Sequence, residues 1–207
     1  MILHKLIVGP LGVNCYILAS DNKEAVVIDP GGDAEDILNL INENKLVIKK
    51  IILTHGHCDH IGACKEVAEA TKAPICIHKE DEILLKQPSK NLSFLMGINF
   101  SLDLKTEELF DGQTILIDNL SLTILNTPGH TPGSISIWVS GLLFTGDLLF
   151  AGSVGRTDLS GGSFKVLTNS LKRVLNFPDE TRVLPGHGEE TTLGQEKAVN
   201  PFLKDLR

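Results

Sequence analysis

Short apolar runs alternate along this chain with breaks rich in Gly, Pro, Asp and Asn, and the spacing of the apolar positions changes from one region to the next. Residues 3–8, 13–19 and 25–28 read as strands, because apolar residues dominate each run and Gly9-Pro10 and Asp21-Asn22 supply turns between them. Three strands joined by tight turns predict an antiparallel meander. After Asp29-Pro30-Gly31-Gly32-Asp33 the period lengthens, with Ile37, Leu38 and Ile41 at helical spacing and Asp33 placed to cap the helix. A short apolar strand at residues 51–53 runs into Thr54-His55-Gly56-His57-Cys58-Asp59-His60, which reads as a loop. A helix carrying Ala63, Val67, Ala68 and Thr71 follows, then a strand at 75–77 and a helix over 80–85. Residues 87–106 show no clear period, which predicts a loop or short-helix excursion over the site. From Asp111-Gly112 the strand signal returns at 114–117, 120–125, 134–139 and 142–145, a second meander. A helix over 164–175 and a strand at 182–184 lead to Pro185-Gly186-His187-Gly188. Meander, helices, meander, helices predicts an α/β fold of two sheets packed face to face, with helices on the outer faces.

Composition narrows the possibilities. The length of 207 residues suits one domain spanning 1–207, and a chain 42% hydrophobic but only 5% aromatic must build its core from Leu, Ile and Val. A net charge of -7 disfavours nucleic acid as partner, since such proteins need a basic footprint. No apolar run is long enough for a membrane-spanning helix, and residues 1–10 lack the pattern of a signal peptide. Cys15, Cys58, Cys64 and Cys76 are irregularly spaced in a chain that needs no staples, so reduced thiols and a cytoplasmic location are expected. Nothing in the sequence speaks to oligomeric state.

The chemistry lies in the histidines. Five of the seven sit at the ends of apolar runs beside Gly or Pro: His55, His57 and His60 in the motif His-x-His-x-Asp-His, then His130 in Thr-Pro-Gly-His-Thr-Pro-Gly, and His187. Asp59 within the motif and Asp147 after Gly146 add carboxylates. Imidazole with carboxylate suits zinc, iron or manganese, whereas calcium prefers oxygen throughout. Seven such residues exceed what one catalytic ion needs and suit two divalent ions sharing a carboxylate, with zinc the first choice. His4 and His78 lack the flanking pattern. Cys58 reads as a small buried hydrophobe turned away from the metals by the alternation of His57 and Asp59. Arg156, in a Gly-rich loop, is placed to clamp a substrate carboxylate or to support Asp147, unless it forms only a surface ion pair.

The motif at 55–60, followed by His130, Asp147 and His187 and preceded by Asp29-Pro30-Gly31, resembles the metallo-β-lactamase superfamily over essentially the whole chain. That resemblance implies a four-layer αβ/βα sandwich of two mixed sheets with the site along one edge. By motif it implies that His55, His57 and His130 hold one metal, that Asp59, His60 and His187 hold a second, and that Asp147 bridges them. Residues 150–158 with Asn200-Pro201-Phe202-Leu203 are similar to the glyoxalase II-like branch, in its short bacterial type. Glyoxalase II proper continues into a C-terminal region with glutathione-binding residues that this sequence lacks.

Two ions close together lower the pKa of a shared water toward about 7 and so supply hydroxide at neutral pH. Attack on an acyl carbon followed by loss of a thiolate needs little protonation, which fits a small-molecule thioester of the lactoyl-glutathione kind. Asp59 would orient the hydroxide. Persulfide dioxygenase-like relatives share the His motif but use one iron, and a lactonase or phosphodiesterase would use the same hydroxide.

Overall fold

The computed structural model describes residues 1–206; Arg207, the last position of the expected domain, lies outside the described residues. Strands β1 (Ile2–Val8), β2 (Val13–Ala19) and β3 (Glu24–Ile28) form the antiparallel meander the apolar runs predict. Helix α1 (Ala34–Glu43) then crosses to β4 (Val47–Ile52), which pairs parallel to β3. Asp33 does stand at the start of α1, but with φ 50 its side chain caps nothing there and instead accepts from the Gly9 amide at 2.8 Å. Helices α2 (Cys58–Ile61) and α3 (Cys64–Thr71) lead to β5 (Ile75–His78), and α4 (Glu82–Lys86) precedes β6 (Thr106–Leu109). Both β5 and β6 continue the sheet in parallel, giving the order β1-β2-β3-β4-β5-β6.

The second sheet repeats the logic. Strands β7 (Thr114–Ile117), β8 (Leu120–Asn126), β9 (Ile135–Val139) and β10 (Leu142–Gly146) form an antiparallel meander. A separate hairpin of β11 (Leu149–Phe150) and β12 (Ser153–Val154) follows, then α5 (Phe164–Val174). The chain returns as β13 (Arg182–Pro185), parallel to β10, with β14 (Thr191–Thr192) at the edge and α6 (Leu193–Val199) after it.

Two mixed sheets face one another, and helices cover their outer sides. Strand β2 shows why: all seven of its residues are buried, because both of its faces are covered. Tyr16 and Leu18 point between the sheets, where they meet Ile124, Ile137 and Phe144, while Cys15 and Ile17 pack on the outer side with Ile37 of α1 and Val67 of α3. On the far side Leu143 and Val183 pack against Leu167, Leu171 and Val174 of α5. The resulting order is helix, sheet, sheet, helix.

Several elements escape the apolar pattern. Residues 55–60, expected as loop, are helical from Cys58 onward, and β6 is a four-residue edge strand of Thr-Glu-Glu-Leu with little apolar signal. Strands of two residues and the polar helix α6 were not foreseen either.

Between the sheets Phe144 stacks edge-on against Tyr16 with ring centroids 5.2 Å apart and is almost wholly buried. Phe144→Ala is expected to lower unfolding free energy by about 3–5 kcal/mol in urea titration with the m-value unchanged.

Candidate metal centre

Strand ends deliver the donors. His55 lies just beyond β4, His130 between β8 and β9, Asp147 directly after β10 and His187 just past β13. His57, Asp59 and His60 lie at the start of α2 and within it. The two sheets are stitched together at this edge: the Ile135 amide donates to the Thr54 carbonyl at 2.9 Å, and the Asn14 amide to the Gly186 carbonyl at 2.8 Å. Asn14 Nδ2 and Tyr16 Oη both donate to the Pro185 carbonyl at 2.9 Å, fixing the turn that presents His187.

Two buried carboxylates organise the loops, and neither was among the expected site residues. Asp29 is 2% exposed; its Oδ1 accepts from the Thr54 amide at 2.7 Å, and its Oδ2 accepts from Thr54 Oγ1 at 2.6 Å and lies 2.9 Å from His60 Nδ1. Asp81, fully buried at the start of α4, accepts from the Gly56 amide at 3.0 Å, from Thr131 Oγ1 at 2.7 Å and from the Gly133 amide at 2.7 Å. It therefore ties the loop bearing His55 and His57 to the loop bearing His130. Both glycines are needed for this approach: a Cβ at Gly133 would stand 2.7 Å from the Asp81 nitrogen, and one at Gly56 would stand 2.6 Å from Leu84 Cβ. Burial pushes the Asp81 carboxyl above the usual range despite its three donors.

These partners set the tautomers. Thr54 Oγ1 gives its proton to Asp29 and so accepts from His55 Nδ1 at 3.2 Å; His130 Nδ1 donates to the Arg156 carbonyl at 2.8 Å; His60 Nδ1 donates to Asp29. In each case Nε2 is left as an acceptor facing the others. His55 Nε2, His57 Nε2, His60 Nε2 and Asp147 Oδ1 are buried with no hydrogen-bond partner. Leaving such atoms unpaired costs about 1–3 kcal/mol each, which a cation would offset.

The donors fall into overlapping groups whose nearest atoms lie within 4.8 Å of one another: His55, His57 and His130; His55, His60 and Asp147; Asp59, His60 and His187. His130 Nε2 and His57 Nδ1 approach to 2.9 Å. Asp147 stands between the groups, with Oδ1 3.4 Å from His60 Nε2 and Oδ2 3.5 Å from His130 Nε2 and 3.9 Å from His187 Nε2. Asp59 Oδ2 lies 3.3 Å from His187 Nε2. Asp147 thus stands within 3.5 Å of a donor from each of the other two groups.

Electrostatics divide the donors. Against the pull of burial, Asp147 and Asp29 raise His60 well above the usual histidine range and Asp59 raises His187, so a cation bound there would displace a proton. The other end of the centre behaves differently. Burial, reinforced by the neighbouring imidazoles, holds His55 well below the usual histidine range, and burial with His130 brings His57 down to about 3. Both are neutral, as metal-binding imidazole must be. Burial opposes ionisation of Asp147, but His60 and His130 outweigh it and hold the carboxyl below the usual range.

Two expectations change here. The Arg156 guanidinium does not reach Asp147: its side chain is 62% exposed and makes two 2.8 Å bonds to Asp158, so support for the centre comes from the Arg156 carbonyl through His130. Cys58 is not turned away from the cleft. The chain is helical there, so strand-like alternation does not apply, and Cys58 lines the cleft beside His57 and Asp59.

The cleft over the donors has a volume of roughly 460 Å³, and Leu11, Leu92, Leu95, Phe150, Val154 and Leu159 supply its apolar wall. Phe150 and Val154 sit on the β11–β12 hairpin, which buried Glu196 and Asn200 hold in place: Gly152 N donates to Glu196 Oε2 at 2.8 Å, and Asn200 Nδ2 to the Ser153 carbonyl at 3.1 Å. Asn200 is thus the structural reason for one of the sequence features noted near the end of the chain.

A family model described as the metallo-beta-lactamase superfamily matches residues 8–187. The hydroxyacylglutathione hydrolase GloC of Haemophilus influenzae is 36% identical over 92% of this chain and 92% of its own length. The crystal structure of BLEG-1 B3 metallo-beta-lactamase superimposes with a TM-score of 0.94 at 38% identity, covering 98% of this chain and 100% of that one. The structure of TTHA1623 in a di-iron-bound form superimposes with a TM-score of 0.88 at 39% identity, covering 97% and 100%.

Replacing Asp81 with Ala removes the tie between the two donor loops without touching a donor. Metal affinity, measured by competition with a chromophoric chelator, is expected to fall roughly 10–100-fold while circular dichroism stays native. Unchanged affinity would show that the loops hold their positions without it.

Proposed function

On the premise that this chain belongs to the metallo-beta-lactamase superfamily and is a metal-dependent hydrolase, we propose that its substrate is a small-molecule thioester of the hydroxyacyl-glutathione type. The observation that carries this reading is the set of ionisable groups around the cleft. Apart from the metal donors, the lining residues that titrate are Cys58 and Arg156. Burial raises the Cys58 thiol above its usual range, and Arg156 is held by Asp158. A thiol that holds its proton more tightly than usual and a guanidinium already paired are both poor proton donors to a leaving group. A leaving group that departs without a proton suits such a cleft, and a thiolate, with a free pKa of about 8.5, meets that need better than an unstrained amine. The relative named hydroxyacylglutathione hydrolase supports the same chemistry.

His55, His57 and His130 would hold one ion, and Asp59, His60 and His187 the other, with Asp147 shared. When bound, such ions polarise a carbonyl and bring the pKa of water toward about 7. Asp59 and Asp147, the carboxylates among the donors, would orient the protons of a water held there. Asp29 and the Arg156 carbonyl keep His60 and His130 in the tautomers that leave Nε2 free. The hairpin residues Phe150 and Val154 give the cleft part of its apolar wall. The donor set suits zinc, our first choice, as well as iron or manganese, and one structural relative holds two irons. A cytoplasmic setting is supported by four cysteines that are all buried thiols, and no described helix is long and apolar enough to cross a membrane.

Metal analysis coupled to thiol-release assays tests the proposal. Two metal equivalents per chain are expected, with release of thiol from a lactoyl thioester abolished by chelation and restored by zinc. Oxygen uptake with a persulfide at one iron per chain, or opening of a β-lactam with no thioester cleavage, would overturn it.

A further inference from the structure

Beside the metal cleft lies a second cavity of roughly 230 Å³, and the two share Leu11, Cys58 and Asp59 as a common wall. Its remaining side chains include Val8, Pro10, Ile98 and Phe100, and Asp59 at the junction is the one charged group that lines it. An apolar cavity of about 150 Å³ walled by such residues accommodates a benzene ring, so this one has room for a larger hydrocarbon group. Leu11 and Ile98 are 52% and 51% exposed at its mouth, apolar surface that gains from being covered.

The far wall is anchored to the metal-binding helix. The Cys58 amide, in α2, donates to the Asn91 carbonyl at 2.8 Å. Fully buried Asn91 then holds the segment ahead, its Nδ2 donating to the Phe100 carbonyl at 2.9 Å, while the Phe100 amide donates to Ser93 Oγ at 3.2 Å. The Leu102 amide closes the segment onto the Leu85 carbonyl at 2.7 Å. Ile98 and Phe100 are thereby held at a set position relative to Asp59. The cavity meets the centre at Asp59, whose carboxylate is grouped with His60 and His187.

We propose that this cavity is a specificity subsite that receives an apolar arm of the substrate, a hydrocarbon group attached close to the scissile carbonyl. The inference rests on the thioester reading above and adds to it a chemical preference: one side of the scissile bond carries alkyl or aryl carbon. That arm belongs either to the acyl group or to the thiol, and the test separates the two.

Two substrate series are compared on the zinc-loaded protein, one lengthening the acyl chain from acetyl to hexanoyl on a fixed thiol, the other lengthening an alkyl thiol under a fixed acyl group. In one series kcat/KM is expected to rise roughly fourfold per methylene until the cavity is filled. The Ile98→Asp variant, at an exposed position where folding is not at stake, is expected to lose that slope. Independently of turnover, hexanoate is expected to shift the methyl resonances of Val8, Leu11 and Ile98 in NMR spectra. Flat dependence in both series with hydrolysis retained, or hexanoate shifts confined to other methyl groups, would overturn the subsite. If no thioester is cleaved at any length the thioester reading fails, and the NMR titration alone then decides whether the cavity takes hydrocarbon.

Discussion

Asp29 holds three groups at once, the amide and hydroxyl of Thr54 and Nδ1 of His60, and the geometry of the centre depends on that grip. Thr54 is the last residue before the donor motif, and His60 is the last donor within it. A single carboxylate at the end of β3 therefore fixes both ends of the motif relative to the neighbouring strand. The chain accepts a left-handed backbone at Asp29, with φ 51, to aim the carboxylate this way. Such a conformation costs free energy, tolerable for Asp more than for most residues because its short polar side chain bonds locally.

Asp81 applies the same device between more distant segments. Its partners Gly56, Thr131 and Gly133 lie 25, 50 and 52 residues away in sequence, so the loops it joins come from different sheets. Burying an ionisable carboxyl is unfavourable unless it is fully hydrogen-bonded, and here two amides and a hydroxyl meet it. The donors are thus held near one another by the protein, so little ordering remains for metal binding to bring about.

Much of this was legible in the sequence. Strand β2, both meanders and α5 announced themselves because apolar positions repeat over enough residues to define a period, and the seven donors stood out because each cluster follows an apolar strand run. Other features lie below that threshold. Helix α2 has four residues, and β11, β12 and β14 have two each, too few for periodicity to register. Asp81 is one acid in an acidic stretch, Lys79-Glu80-Asp81-Glu82, and only long-range packing separates it from its neighbours. The one local signal that could have found it is the glycine at position 133, which follows a proline and is too small to keep a partner away. For Arg156 the sequence left a substrate clamp, support of Asp147 and a surface ion pair open; the ion pair with Asp158, two residues on, forms while the side chain still lines the cleft.

Arg156 divides its labour between peptide and side chain. The carbonyl that orients His130 is a group that every amino acid possesses, while the guanidinium lies largely exposed along the cleft, paired with Asp158. Evolution can therefore redraw the outward surface of that loop, and with it what the cleft admits, while the imidazole behind it keeps its proton on the same nitrogen. New selectivity and an old catalytic core can share one residue without competing for it.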